Sequence, residues 1–115
     1  MTFKDALHYL RHEGIKTDKG LFKIDNYATI GSIDALKCAV VMNGPCIGGL
    51  PVYNSNSQEF WNGNSLEGGH AISIVGFDKD GFIIRNSWGP YFGNKGYTHL
   101  SYSDFNKFYE IWTLI

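Results

Sequence analysis

Two apolar runs joined by a tight turn most limit what this chain can fold into. Residues 71–77 read AISIVGF, residues 82–86 read FIIRN, and DKDG lies at 78–81. Short runs rich in β-branched residues and bounded by turn residues are typical of buried strands. A short Asp/Gly turn between two such runs indicates a β-hairpin. We therefore predict an antiparallel hairpin here, with the start of the first strand beside the end of the second.

A histidine and an asparagine occupy the same end of this predicted hairpin. His70 opens the first strand and Asn86 closes the second. A histidine oriented by an amide side chain is the arrangement of a general base that serves a nucleophile. A core histidine and a turn asparagine would give the same pattern, because buried polar groups usually find hydrogen-bond partners.

The rest of the chain places helices before strands. Thr2 and Ser32 stand at N-cap positions before apolar residues at helical spacing, and Gly14 and Gly44-Pro45 suit the two helix ends. The other predicted segments are a loop at 15–21, an extended segment at 22–30, a strand at 46–53, a loop with a helical turn at 58–61, strands at 97–100 and 109–114, and a helical turn at 102–108. Helices followed by antiparallel strands predict an α+β domain.

Composition and charge exclude several classes of partner. The 115 residues fit one domain, and 43% apolar and 16% aromatic residues are not a disordered composition. The net charge of −1 and the lack of a basic stripe argue against a nucleic-acid partner. No apolar run approaches a membrane span, and the N-terminus lacks a signal-peptide pattern. We expect no membrane partner and assign no compartment.

The residues around His70 and Asn86 resemble the C-terminal half of papain-like cysteine proteases. The resemblance rests on GGHA at 68–71, IVGF at 74–77, NSWG at 86–89, Gly93 and Gly96-Tyr97. It implies an antiparallel sheet or partial barrel with short N-terminal helices, here lacking the central helix that bears the nucleophile. We expect one partial papain-like domain over 1–115. Residues 1–31 would be a remnant of the left half and residues 32–115 the β-rich right half.

The resemblance also assigns roles to three side chains. It makes His70 the general base and acid, and Asn86 the residue whose side-chain oxygen orients the imidazole. A neighbouring imidazolium stabilises the reactive thiolate form of a cysteine. Trp88 would be an apolar cover that keeps water from the hydrogen bond between His70 and Asn86, although plain core packing would also explain a tryptophan there.

The same resemblance predicts a substrate cleft for a peptide or protein. Gly48, Gly69 and Ala71 are expected to border this cleft, and the missing side chain of Gly48 would widen it. Gly69 stands where many family members carry Asn or Asp. The family implies no cofactor, and the sequence has no metal-ligand spacing.

Neither cysteine has the context of the family's nucleophile, which lies far upstream of the histidine and shortly after a glutamine. Only 69 residues precede His70, and Gln58, the sole glutamine, follows both cysteines. We expect Cys38 and Cys46 to pack in the core. A Cys38–Cys46 disulfide and a nucleophilic Cys46 are the alternatives. The nucleophile is therefore expected outside this chain.

Three functions fit these observations. The first is a C-terminal fragment or subunit of a papain-like thiol peptidase, whose cysteine comes from an N-terminal half or a second protein chain. The second is a catalytically dead binding or structural component, for example of a virion, and the third is a non-proteolytic hydrolase or acyl transferase of the same superfamily. We favour the first and predict that the isolated chain is inactive. Its His70 face should be partly exposed or covered by a partner, unless the helix at 3–10 folds back and seals it.

Overall fold

The fold is an open six-stranded antiparallel sheet with a helix packed on one face. The computed structural model describes residues 2–115. A short 3-10 helix, Tyr102–Lys107, connects the last two strands. In chain order the other elements are α1 Phe3–His12, β1 Ile15–Thr17, β2 Gly20–Phe22, β3 Tyr27–Thr29, α2 Ile33–Asn43, β4 Cys46–Val52, β5 Gly68–Phe77, β6 Gly81–Arg85, β7 Tyr97–Ser101 and β8 Glu110–Leu114. The strand order in the main sheet is β3-β8-β4-β5-β6-β7.

The predicted hairpin is confirmed as β5 and β6, although β5 begins earlier than expected, at Gly68. Its turn closes through Asp78, whose Oδ1 accepts hydrogen bonds from the backbone N–H of Asp80 at 2.8 Å and of Gly81 at 3.0 Å. This is the local bonding that favours aspartate in turns. Ser73 pairs with Arg85 across the two strands.

The strand side chains alternate between a buried face and an open face. On the buried face, α2 packs against β4, β5 and β8. The fully or nearly fully buried core residues there include Leu36, Ala39, Cys46, Leu50, Ile72, Ile74, Phe82, Ile84, Leu100 and Ile111. On the other face, one row of paired residues crosses four neighbouring strands: Ile47, Ser73, Arg85 and Tyr97. This row is half-buried or exposed, so one face of the sheet is largely uncovered.

Both predicted helices form where their caps place them. Thr2 and Asp5 make a complete capping box at the start of α1, and the Ser32 side chain accepts from the backbone N–H of Ala35 at 3.1 Å. Gly44 follows α2 with φ of 91°, a conformation that favours glycine. Leu7 is the fully buried residue of α1.

One expectation about local structure needs correction. Residues 15–22, expected mainly as loop, form the β1–β2 hairpin, whose six strand residues are all exposed. The turn expected at 58–61 does form, closed by the backbone N–H of Asn62 donating to the carbonyl oxygen of Glu59 at 3.1 Å, and Phe60 and Trp61 within it are fully buried. Strand β3 pairs with β8 in the main sheet.

Candidate active site

His70 and Asn86 meet at one end of the β5–β6 hairpin. Nε2 of His70 lies 2.7 Å from Oδ1 of Asn86, so the predicted contact is confirmed. The backbone N–H of Ser87 donates to the same Oδ1 at 2.8 Å, which is consistent with oxygen at that position. An amide oxygen can only accept. The neutral ring therefore carries its proton on Nε2, which leaves Nδ1 as the basic nitrogen.

The loop after β6 holds Asn86 in place. The backbone N–H of Asn86 donates to the carbonyl oxygen of Gly96 at 2.9 Å, and Gly96 has φ of 93°. The Asn86 side chain is buried, and within residues 2–115 its Nδ2 has no hydrogen-bond partner. A buried donor without a partner costs about 1–3 kcal/mol. Hydrogen bonds to its side-chain oxygen and from its backbone N–H thus hold Asn86, while its side-chain NH₂ group is unpaired among the described residues.

Aromatic side chains form a wall on one side of the imidazole. Trp88 stacks on His70, with ring centroids 4.9 Å apart and ring planes 21° apart. Phe60 packs against Trp88 at 4.8 Å and meets the edge of His70 at 6.0 Å. Phe92 packs against Trp88, with ring centroids 5.2 Å apart. Sequence reasoning missed Phe60, although two adjacent aromatic residues in an otherwise polar loop were a usable signal.

An apolar pocket of about 440 Å³ borders His70. The start of α1 contributes Phe3 and Ala6 to its lining, and β4 contributes Ile47. The remaining lining residues are Thr2, Gly69, His70, Ala71 and Tyr109. Two of the three residues expected at a substrate cleft, Gly69 and Ala71, therefore do line a pocket beside the histidine.

Gly48 does not line this pocket, which corrects the expectation from the sequence. Gly48 is buried, and a Cβ placed on it would lie 2.8 Å from the ring of Phe108 and 3.0 Å from Cδ1 of Ile74. Its side-chain position faces the interior, so the absent side chain makes room for core residues and does not widen the pocket.

Tyr109 takes the space that two neighbouring glycines leave open. A Cβ on Gly49 would lie 2.5 Å from the Tyr109 ring, and a Cβ on Gly69 would lie 2.8 Å from its hydroxyl oxygen. Tyr109 itself remains 56% exposed, so its ring forms a wall of the pocket that solvent reaches from outside. Sequence reasoning missed Tyr109, because nothing in the local pattern connects the start of β8 with His70.

The start of α1 borders His70 without sealing it. Phe3 and Ala6 share the pocket lining with His70, yet His70 and Trp88 are only half-buried and Ala71 is exposed. The alternative in which α1 folds back and closes the site is therefore not what the structure shows. The imidazole keeps an accessible side.

The two cysteines lie in different environments and are both free thiols. Cys46 is buried as expected, and this burial raises the pKa of its thiol, an effect that a hydrogen bond with Thr113 partly offsets. Cys38 is exposed on α2, which corrects the expectation that it packs in the core. Cys46 pairs with Ile74, four residues along β5 from His70. At strand spacing this is roughly 13 Å, too far for proton transfer.

The described part of the chain has neither a group of metal ligands nor a helix fit to cross a bilayer. Within residues 2–115, no three or more His, Cys, Asp or Glu side chains group closely enough to hold a metal ion. In the same range, no helix combines the length and apolar character that crossing a bilayer requires.

Comparison with known proteins decides the family. The sequence profile of papain family cysteine proteases matches residues 4–111. The chain belongs to this family. Cathepsin B-like CP2 of Giardia intestinalis is 54% identical over 40 residues, which cover 30% of this chain and 13% of that protein. The cathepsin L-like proteinase of Fasciola hepatica is 26% identical over 127 aligned positions, covering 85% of this chain and 39% of the relative.

Solved structures extend the comparison to the fold. Xylellain, a cysteine protease from Xylella fastidiosa, superposes with a TM-score of 0.80 at 25% identity. The match covers 98% of this chain and 60% of xylellain. The papain-like α+β fold predicted from the sequence is confirmed, with the sheet open and not closed into a barrel. The matches cover 13%, 39% and 60% of these three relatives, so the chain spans less than two thirds of the length of each.

Proposed function

We propose that this chain supplies the base of a papain-family thiol peptidase, and that the nucleophilic cysteine lies on a segment outside residues 1–115. The observation that carries the proposal is the 2.7 Å contact between Nε2 of His70 and Oδ1 of Asn86. The contact leaves Nδ1 of His70 as the acceptor for a thiol proton. The stacked Trp88 restrains the ring plane, so this nitrogen keeps one direction.

The chemistry follows from a thiol placed at Nδ1. The imidazole takes the proton from sulfur, and the thiolate attacks the carbonyl carbon of a peptide bond. The imidazolium then gives its proton to the leaving amine, and a thioester joins the acyl group to the cysteine. Water, deprotonated by the same imidazole, hydrolyses this thioester and restores the thiol. Asn86 is a positioning residue throughout, because its side-chain oxygen orients the imidazole and touches none of the reacting atoms.

The pocket beside His70 gives the substrate a place. Its lining is mostly apolar, with Phe3, Ala6 and Ile47 on one side and the Tyr109 ring on another. An apolar peptide side chain seated there would lie next to the imidazole. We therefore propose a peptide or protein substrate with an apolar residue near the scissile bond.

The locations of Cys38 and Cys46 support a nucleophile outside these residues. Cys46 is buried with a raised pKa and lies far from His70 along the sheet, and Cys38 is on α2, which packs on the opposite face of the sheet from the open row. The xylellain match leaves a large part of that protease unmatched. By the family pattern, the unmatched part precedes the histidine-bearing half and carries the cysteine.

The experiment compares the isolated chain with a single-chain hybrid. In the hybrid, residues 2–115 replace the matched part of xylellain behind its cysteine-bearing part. We expect no peptidase activity from the isolated chain and clear turnover of a fluorogenic peptide by the folded hybrid. Isolated-chain activity that disappears in Cys46→Ala would place the nucleophile within these residues. A folded but inactive hybrid would instead favour a binding or structural protein that has lost catalysis.

A further inference from the structure

Two histidines lie one turn apart on the outer face of α1. His8 and His12 are both exposed, and their ring centroids are 4.2 Å apart with the ring planes tilted by 43°. Residues four apart on a helix are neighbours on one face. Phe3 and Ala6, which line the pocket beside His70, point from the other side of the same helix. The two histidines therefore form a surface pair outside that pocket.

Neither ring of this pair has another task in the described part of the chain. The other two histidines, His70 and His99, each contact a side-chain oxygen. Within residues 2–115, no such hydrogen bond forms at His8 or His12, and neither belongs to the core. A neutral imidazole with an uncommitted nitrogen is the commonest metal ligand in proteins. Two such rings already lie in contact on α1.

The separation of the two rings suits joint ligation of one metal ion. Metal–nitrogen bonds of about 2.0–2.1 Å place the ring centres of two adjacent imidazole ligands roughly 4.5–5 Å apart. The observed 4.2 Å therefore requires only a small side-chain adjustment. Because the helix already holds both side chains together, little conformational freedom is lost when an ion binds.

The spacing of the pair also has a counterpart among known metal sites. Two histidines four residues apart on one helix face are the zinc ligands of the HExxH motif. His8 and His12 have this spacing, although the residues between them differ from that motif. Sequence reasoning missed the pair, because it weighed metal ligands only among the cysteines.

We propose that His8 and His12 form a two-histidine surface site for a divalent transition-metal ion. Imidazole nitrogen is a suitable ligand for Zn²⁺, Ni²⁺ and Cu²⁺, and Cu²⁺ should bind most tightly of the three. Within residues 2–115, no third His, Cys, Asp or Glu side chain joins the pair closely enough to ligate, so water would fill the remaining positions. The site does not depend on the proposed peptidase function, because it uses neither His70 nor a nucleophile.

An ion bound to this pair would hold the last turn of α1 in its helical conformation. The helix spans Phe3–His12, so the link between His8 and His12 closes its C-terminal end. A ligand that binds only the folded state raises the free energy of unfolding. Since the other side of α1 borders the pocket beside His70, the bound ion would also stabilise a wall of that pocket.

The first test titrates the isolated chain with Cu²⁺ and follows the electron paramagnetic resonance spectrum. The spectrum should show coordination by two nitrogens and saturate. His8→Ala and His12→Ala should each raise the dissociation constant by about tenfold or more, because the remaining imidazole loses its intramolecular partner. His99→Ala, which removes an exposed histidine outside the pair, should leave the dissociation constant unchanged. No saturation, or unchanged binding in either variant of the pair, would overturn the proposal.

The second test separates the spacing of the histidines from their number. His12→Ala combined with Glu13→His keeps two histidines but moves one away from the face of His8, so Cu²⁺ should bind as weakly as to His12→Ala alone. His12→Ala combined with Arg11→His restores a pair three residues apart on one face and should recover much of the affinity. Full affinity in the first double variant, or no recovery in the second, would contradict ligation by the pair.

The third test measures thermal stability with Zn²⁺ as the probe. Zn²⁺ should raise the melting temperature of the isolated chain by a few degrees, and a chelator should reverse the rise. His8→Ala and His12→Ala should abolish the rise while keeping the fold, because both side chains are exposed. A rise of equal size in these two variants, or no rise in the unaltered chain, would overturn the proposal. None of the three measurements uses peptidase activity, so an inactive chain or hybrid would not affect them.

Discussion

At the scale of single residues, the oxygen of Asn86 determines which nitrogen of His70 is free to act as a base. The 2.7 Å contact uses Nε2, and a second donor, the Ser87 N–H, holds the same oxygen from the backbone. Orientation of this kind matters because the two ring nitrogens are distinct, and the hydrogen bond that one of them makes selects which nitrogen carries the proton. The Asn86 N–H also donates to the carbonyl oxygen of Gly96, so the loop after β6 helps to hold the asparagine that selects the tautomer.

The tautomer of His70 is directly measurable. We expect nitrogen-15 NMR of the isolated chain with a neutral imidazole to show the proton on Nε2, because Asn86 Oδ1 can only accept. In Asn86→Ala this preference should weaken, with both tautomers populated. His99, whose Nε2 lies 3.0 Å from Asp78 Oδ1, provides a matched control that Asn86→Ala should not change. A proton found on Nδ1 in the unaltered chain would contradict the orienting role.

The thiol of Cys46 makes stability depend on alkaline pH. Burial raises its pKa above the ordinary value of 9.0, so the folded protein holds this proton more tightly than the unfolded chain. The resulting stabilisation is fully present below about pH 9 and is lost as the pH rises through the raised pKa. The free energy of unfolding, measured with urea at pH 8 and at pH 10, should fall more between these two pH values for the unaltered chain than for Cys46→Val. Equal falls in the free energy of unfolding would show that the buried thiol does not contribute to the pH dependence.

The exposed Cys38 should also react with a thiol reagent much faster than the buried Cys46.

At the scale of elements, sequence reasoning succeeded where local pattern and tertiary burial agree. The β5–β6 hairpin and α2 were predictable because their apolar runs, caps and turn residues are local signals. The β1–β2 hairpin was missed because its six strand residues are all exposed, so no buried face marks its strands. The contact between His70 and Asn86 could be predicted from the hairpin alone, because the hairpin brings its two ends together. The packing of Phe60 against His70, and the place of Tyr109 in the pocket beside it, depend on residues distant in sequence, which no local pattern specifies.

The contact between β4, β5 and the start of β8 can be tested through Tyr109. Gly49→Ala would place a Cβ 2.5 Å from the Tyr109 ring, and the exposed ring should swing away from the pocket to relieve the contact. We expect a modest loss of thermal stability in Gly49→Ala, of about 1 kcal/mol or a little more. That loss should largely disappear in the background Tyr109→Ala, which a double-mutant cycle measures. Independent, additive effects of the two substitutions would show that the glycine and the tyrosine do not share this space.

At the scale of the whole molecule, the chain presents surfaces that are unusual for a protein that acts alone. One sheet face carries the open row that includes Ile47 and Tyr97, and four apolar side chains of α1 and the β1–β2 hairpin are more than half exposed: Tyr9, Ile15, Leu21 and Phe22. Exposed apolar surface of this kind commonly marks a site of protein–protein contact. A cysteine-bearing segment that covers the uncovered sheet face would complete both the core and the catalytic pair.

The turnover number of the hybrid with and without His70 tests the central claim most directly. We predict that His70→Ala lowers kcat for a fluorogenic peptide by a factor of roughly 10² to 10⁴, the usual contribution of a general base, while the folded state and the melting temperature are retained. The matched substitution His99→Ala, at an exposed position in the middle of β7, should leave kcat within about twofold of the unaltered hybrid, in line with the small effect of exposed side chains. Equal turnover by the hybrids with and without His70 would contradict the claim that this chain contributes the catalytic base.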